Sequence, residues 1–265
     1  MCPERFFFVV VLLCATGPSN LAIASPSCLP AIEVAHAKAV RVEKNGVVVL
    51  ADGRAARLEG VVLPAGGADR APELFAQQAI SALADLTANR VLDLAAAPPK
   101  EDRYGRIRAQ VLVRSNGNDV WLQQEMLRRG LARVAITADR GECAEELYAV
   151  EAGARRTRAG LWSSPAYAIR TPPEAEDNIG TFQVVEGKVN SVSSSGGRVF
   201  LDFGSDEGAV FAATISTDDM KRFREIGVDP YAYVGERVRV RGWIERIHRL
   251  PEIALATPAQ VEIVQ

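Results

Sequence analysis

Two turn dipeptides constrain the first half of the chain more than any other feature. Asn45-Gly46 and Asp52-Gly53 each fall between short runs rich in β-forming residues, at 35–42, 47–50 and 55–62. Asn-Gly and Asp-Gly accept the positive φ angles of tight hairpin turns, so three strands in a meander are expected. The pattern then changes period. Leu74, Phe75, Ala79, Ala82, Leu83 and Leu86 recur at helical spacing over 72–86. Residues 91–94 and 107–113 read as two further strands. Residues 120–129 read as a helix ended by Gly130, and 143–157 as a second helix, followed by Gly160-Leu161-Trp162. The order is three strands, a helix, two strands and two helices.

Residues 171–179 hold two prolines, three acids and few apolar side chains, and read as a linker. A second β-rich unit follows. Strands are expected at 182–192 and 198–203 around a loop at 193–197, and at 209–215. A helix at 217–226 is capped by Ser216 and carries Asp218 and Asp219 in its first turn. Strands at 237–244, 253–255 and 261–264 complete the unit. Strand-strand-strand-helix-strand-strand is the element order of an OB barrel. The expected class is mainly β with added helices: two OB-type barrels, the second smaller. The expected boundaries are 1–24 for a leader, 25–170 and 180–265 for the domains, and 171–179 between them.

Charge excludes a strong electrostatic pull on polyanions. Residues 25–170 carry 20 Lys and Arg against 17 Asp and Glu, residues 171–179 carry three acids, and residues 180–265 carry 10 bases and 12 acids. A net of +3 on the first domain is a weak bias.

The first 24 residues combine an apolar run at 6–15, Gly17-Pro18, and small residues at Ala22 and Ala24. That is the layout of a secretory signal peptide cleaved after Ala24, which places the mature chain in the periplasm or outside the cell with no membrane segment. Cys2 and Cys14 would leave with the leader. Cys28 and Cys143 would remain as a pair in an oxidising compartment, and a disulfide between them is expected.

Asp102-Arg103-Tyr104-Gly105-Arg106 resembles the Asp-Lys-Tyr-Gly-Arg run of the thermonuclease (staphylococcal-nuclease-like) family. Three further stretches resemble that family in the same order. Residues 56–64 (ARLEGVVLP) match its Arg-Leu-x-Gly-Ile-Asp-x-Pro strand. Residues 127–134 (LRRGLARV) match its Arg-Gln-Gly-Leu-Ala run. Residues 142–162 match its closing helix and Leu-Trp pair. The likeness covers about 34–163 and implies an OB-type barrel with added helices.

The resemblance also implies a site. Arg57 and Arg106 correspond to the family's two catalytic arginines, which hold the scissile phosphate and its developing charge. The family's other groups are not matched. Gly46, in Lys44-Asn45-Gly46, stands where the family has a calcium-binding aspartate. Val62 stands at a second calcium aspartate, and Ala65 at the glutamate proposed as general base. Calcium needs about 6–8 oxygen ligands with carboxylates among them, so no calcium or other cofactor is expected. Loss of a general base removes about 10²–10⁴-fold in rate.

Glu59, Asp69 and Glu73 are the acids that could be reassigned. For Glu59 an ion pair with Arg57 is the favoured reading, for Glu73 a place in the first helical turn, and for Asp102 a place in the turn. His36 and His248 lie in different domains and suggest no zinc site.

In the second domain Arg237, Arg239 and Arg241 share one strand face and could hold an anion, although a solvated strand face is the plainer reading. Trp121, Trp162 and Trp243 are read as core or domain-packing residues. Three functions remain open: an exported binding module for nucleic acid, another anion or a protein; a phosphodiesterase with a reassigned acid; and a purely structural protein-interaction unit.

Overall fold

The computed structural model describes residues 26–115, 119–205, 208–247 and 249–264. The expected leader at 1–24 and His248 lie outside these residues. Among the described residues no helix is long and apolar enough to cross a membrane.

The first half contains β1 (Ile32–Val42), β2 (Val48–Leu50), β3 (Ala55–Leu58), β4 (Val61–Val62), α1 (Glu73–Thr87), β5 (Val91–Ala95), β6 (Ile107–Arg114), β7 (Val120–Trp121), α2 (Leu122–Arg128), β8 (Arg133–Val134) and α3 (Ala144–Arg156). The turns form as their residues dictate. The Asn45 side chain accepts the Val47 N–H (3.1 Å), and the Asp52 side chain accepts the Arg54 N–H (3.0 Å). Gly46 and Gly53 take φ values of 81° and 87°.

Strand β1 is long and bent. Its first part pairs with β5 and its last with β2, with register irregularities between Val34 and Ala37 and between Ala39 and Arg41. A bulge of this kind lets one strand turn a barrel corner. His36 sits at the bend with φ 55°, and its backbone N–H is held by Asp93 (2.7 Å). Parallel pairing of β3 with β6, from Ala56–Ile107 to Leu58–Ala109, closes a five-stranded barrel.

The second half contains β9 (Phe182–Lys188), β10 (Ser191–Ser195), β11 (Arg198–Ser205), β12 (Gly208–Ile215), α4 (Asp219–Glu225), β13 (Arg237–Ile247), β14 (Leu250–Ala254) and β15 (Val261–Ile263). Here β9 and β10 play the part of the bent first strand. The first pairs with β13 over seven positions and the second with β11 over five. The third strand again runs parallel to the fifth, β12 with β14. Both barrels therefore follow one strand circuit. The loop expected at 193–197 is shorter than the sequence suggests, because β10 continues to Ser195 and only Gly196-Gly197 turn. Helix α4 starts at Asp219 rather than at 217, with Asp218 at its N-cap position, and the Ser216 hydroxyl accepts the Asp219 N–H (3.1 Å) from the preceding turn.

Each barrel has its own core. One gathers Leu50, Leu58, Leu83, Leu94 and Val111, and the other Leu201, Phe203, Phe211, Val240 and Ile253. The segment between them is not a free tether. Residues Pro173–Asn178 form a 3₁₀ helix, Ala175 is fully buried in the second core, and Arg70 donates to the carbonyls of Asp177 and Ile179. A short apolar residue at every few positions suffices to dock a polar stretch, and composition alone conceals this.

Cys28 and Cys143 form a disulfide across 115 residues, with Cα atoms 5.0 Å apart. It fastens the N-terminal arm to the start of α3. A cross-link over so long a loop stabilises mainly by restricting the unfolded chain, by about 4–5 kcal/mol in the chain-entropy treatment. Cys28→Ser is therefore expected to lower the unfolding free energy by about 4 kcal/mol in guanidinium titration. An unchanged midpoint would show that the arm is already fixed without the bond.

Candidate nucleic-acid site

A cavity of about 270 Å³ opens on the first barrel, bounded by the β1–β2 turn, the end of β3, the loop after β4 and the start of β6. Its walls include Lys44, Arg57, Val62, Ala65, Asp69 and Arg106, and one residue of the second barrel, Trp243. The positions that the sequence singles out at Gly46, Arg57, Val62, Ala65 and Arg106 are thus brought together around one opening.

Arg57 is exposed on β3 and its side chain, among the described residues, makes no hydrogen bond or ion pair. The expected pairing with Glu59 does not occur. Strand β3 ends at Leu58, so the two-residue alternation stops before Glu59, whose side chain is buried instead. Glu59 accepts from Arg108 Nε (2.9 Å) and from the Thr137 hydroxyl (2.9 Å), while Arg108 also grips Asp139 (2.8 Å). This network belongs to the barrel wall.

Arg106 is oriented by a turn. The Asp102 carboxylate accepts the backbone N–H of Tyr104 (2.9 Å) and of Arg106 (3.1 Å) and the Arg106 Nε–H (2.7 Å). Burial pulls the Asp102 carboxyl upward, but these donors outweigh it and hold it below the usual carboxylate range. The Arg106 guanidinium also lies 4.8 Å from the centre of the Tyr104 ring, which is 68% exposed. Asp102 thus serves as the turn and orienting residue.

Among the described residues, Asp69 is the single carboxylate on the cavity wall, and it is almost fully buried. Three donors converge on its Oδ2: the Ala65 N–H (2.8 Å), Arg133 (3.0 Å) and the Tyr167 hydroxyl (3.2 Å). Burial, with Asp69 beside it, pushes the Tyr167 phenol well above its usual pKa, so it stays protonated and donates. Asp69 therefore ties the Ala65 loop to the structure beneath it. Glu73 is exposed in the first turn of α1, with its carboxylate against Gly66.

An acid at Gly46 would be strained by the backbone of the β1–β2 turn and would require the Leu63 side chain to shift. A Cβ there would lie 2.5 Å from Leu63 Cδ1, at φ 81°. Among the described residues no group of three or more His, Cys, Asp or Glu could hold a metal.

The arginines of β13 take other partners. Arg237 and Arg239 both reach Glu186, each at 2.7 Å. Burial alone would raise the Glu186 pKa, but the two guanidinium groups hold it below the usual range. Arg241 is fully buried and pairs with Glu151 of α3 (3.0 Å) and with Glu262. The shared face is real, and carboxylates on neighbouring elements occupy it.

The tryptophans divide. Trp121 is core, its indole N–H on Gln110 (3.0 Å), and Trp162 is half-buried. Trp243 is 51% exposed at the cavity mouth rather than packed away. Its signal in the sequence is its parity with Arg237, Arg239 and Arg241, which puts it on the face turned toward the first barrel.

Residues 55–164 match the family model described as Staphylococcal nuclease homologue, and this part of the protein is a staphylococcal-nuclease-like domain. Such a domain suggests a nuclease-like or nucleic-acid-binding function. The match begins at β3, so β1, β2 and the Gly46 turn lie before it although they complete the same barrel. Over 65 residues, 24% of this chain, the sequence is 37% identical to an uncharacterized protein of Methanocaldococcus jannaschii, and the aligned segment spans 30% of that protein.

Proposed function

We propose that this is an exported nucleic-acid-binding protein that grips phosphodiesters with Arg57 and Arg106 and does not cleave them by calcium chemistry. The observation that carries the proposal is the charge of the cavity. Lys44, Arg57 and Arg106 face it, and Arg57 has no partner among the described residues. A guanidinium fork matches phosphate oxygens and remains charged at any relevant pH.

The donor set does not fit calcium. One carboxylate whose Oδ2 already receives three donors is far from the about 6–8 oxygens that the ion takes. Export is supported by the leader-like start of the sequence and by the Cys28–Cys143 bond, which persists in oxidising compartments.

The test is fluorescence anisotropy and product analysis on the mature chain with labelled single- and double-stranded DNA and RNA, in calcium and in EDTA. Binding is expected to be indifferent to EDTA. Arg57→Ala combined with Arg106→Ala is expected to weaken binding at least about 10-fold, since each charge-assisted bond contributes roughly 1.5–3 kcal/mol. Calcium-dependent cleavage that Arg106→Ala abolishes would overturn the proposal.

A second reading, a phosphodiesterase with a reassigned acid, is favoured by one observation: Asp69 reaches the cavity wall. It requires turnover that Asp69→Asn removes without loss of binding. A partner protein in place of nucleic acid would appear as absence of any oligonucleotide binding.

A further inference from the structure

The nuclease-like domain does not own its cavity. One wall comes from Trp243, on β13 of the other barrel, outside the residues that match the family model. Its placement is fixed from beneath. The Trp243 ring meets Phe182 edge to face, with centroids 6.2 Å apart. Phe182 and Trp243 are also register partners in the β9–β13 ladder. The Arg133 guanidinium lies 5.2 Å from the Phe182 ring centre and donates to the Phe182 carbonyl (2.5 Å). Arg133 in turn holds Asp69, which holds the Ala65 N–H on the cavity wall. A continuous chain of contacts therefore joins the indole to the loop beside the arginines.

The indole is nonetheless half exposed. Full burial of an indole stabilises a fold by a few kcal/mol, a gain that this side chain forgoes beside the basic cavity. An exposed aromatic next to unpaired arginine is the composition of single-strand binding surfaces, in which bases stack and cations track the backbone. A base within a duplex is already stacked on its neighbours and offers no free face.

We propose that Trp243 is a base-stacking platform that makes the cavity a site for single-stranded nucleic acid, the base resting on the indole and the adjoining phosphate on Arg57 and Arg106. This rests on the nucleic-acid reading above and adds to it a specificity residue supplied by the second barrel. The second domain is thereby part of the binding site, and its own strand face need not bind anything. DNA and RNA single strands present the same two groups and are separate arms of the test.

The experiment uses the full mature chain and four probes in single-strand DNA and RNA series: a homopyrimidine strand, its duplex, an abasic strand of equal length, and inorganic polyphosphate. Affinity is measured for wild type, Trp243→Ala and Trp243→Phe, with thermal melting as a check on folding.

The expected result has four parts. Wild type prefers the base-bearing strand to the abasic strand and the duplex. Trp243→Ala weakens base-bearing strand binding by about 10- to 100-fold, the loss of one stacked base. Its affinity for the abasic strand and polyphosphate stays within about 2-fold of wild type. Trp243→Phe recovers most of the affinity, because a phenyl ring also stacks.

Equal binding of base-bearing and abasic strands by wild type overturns the stacking role and leaves phosphate binding by the arginines intact. Equal weakening of both strands by Trp243→Ala overturns it as well, since the indole then only shapes the cavity. Failure of wild type to bind any probe removes the nucleic-acid reading itself, and the platform with it.

Discussion

Glu151→Ala is expected to lower the unfolding free energy by about 3–5 kcal/mol, because it takes one of two carboxylate partners from a fully buried guanidinium at the junction of the two barrels. Glu151 is fully buried on α3. It accepts the Val134 N–H (2.7 Å), Arg155 (3.0 Å) and the Arg241 guanidinium (3.0 Å). Arg241 is equally buried, donates also to the Val134 carbonyl (3.2 Å), and lies 4.3 Å from the centre of the Tyr148 ring. Burial raises the Tyr148 phenol to about 12, so this ring brings no charge of its own at neutral pH.

Removing the carboxylate leaves the fully buried Arg241 with Glu262 as its remaining carboxylate among the described residues, and orphans the Val134 backbone donor as well. The double variant Glu151→Leu with Arg241→Met removes both charges and retains volume. It is expected to lie closer to wild type than Glu151→Ala does, as replaced buried pairs commonly do. Denaturant titration of the three proteins decides the matter. A loss below about 1 kcal/mol for Glu151→Ala would mean that the cation escapes to solvent and that the junction is looser than its geometry.

This junction also marks the limit of what the sequence discloses. The turns at Asn45-Gly46 and Asp52-Gly53, the Ser216–Asp219 hydrogen bond and the helices α1, α3 and α4 are legible because each depends on neighbours within a few residues. The face shared by Arg237, Arg239 and Arg241 is legible for the same reason, since period-2 alternation is local. What those arginines meet is not legible. Glu186 lies 51 residues from Arg237 in the chain, and Glu151 lies 90 from Arg241. Nothing in the spacing of charges names a partner across a sheet or a domain boundary.

The same distinction explains the failed Arg57–Glu59 pairing. Alternation stops at the end of β3, where the chain turns and Glu59 enters the wall with Arg108 and Thr137. The candidate site divides in this way too. Arg57 and Arg106 could be marked from their motifs, while Trp243 enters the cavity only through the docking of the second barrel. The common circuit of the two barrels is hidden for a related reason: strand order in a sheet leaves little trace in the pattern of each strand.

Gly130→Ala is expected to destabilise the protein by about 2–5 kcal/mol, and the cause lies in how two of its motifs touch. Gly130 ends α2 at φ 65°. Its N–H reaches the Leu127 carbonyl (2.9 Å), and the next N–H, of Leu131, reaches back to Met126 (2.8 Å). This is the Schellman arrangement, which favours glycine at the left-handed position.

The carbonyl of Gly130 also accepts the Leu161 N–H (2.9 Å), so the two backbones approach directly. A Cβ on Gly130 would lie 2.0 Å from the Ala159 oxygen, and a Cβ on Gly160 would lie 2.3 Å from the Gly130 oxygen. The glycines of the LRRGLA and GLW stretches are therefore one contact seen from two sides, and neither backbone can yield without moving α2 or the segment after α3.

A left-handed alanine alone loses roughly 1–2 kcal/mol. The collision with backbone adds roughly 1–3 kcal/mol more, as overpacking does. Gly141→Ala is the control, because a Cβ there meets nothing within 4 Å. Thermal and denaturant unfolding of Gly130→Ala, Gly160→Ala and Gly141→Ala should place the first two together and the third near wild type. A Gly130→Ala protein that matches Gly141→Ala would show that the segment after α3 moves aside freely, and the closing helix would then be a mobile cover rather than part of the frame that sets Arg133, Asp69 and the cavity wall.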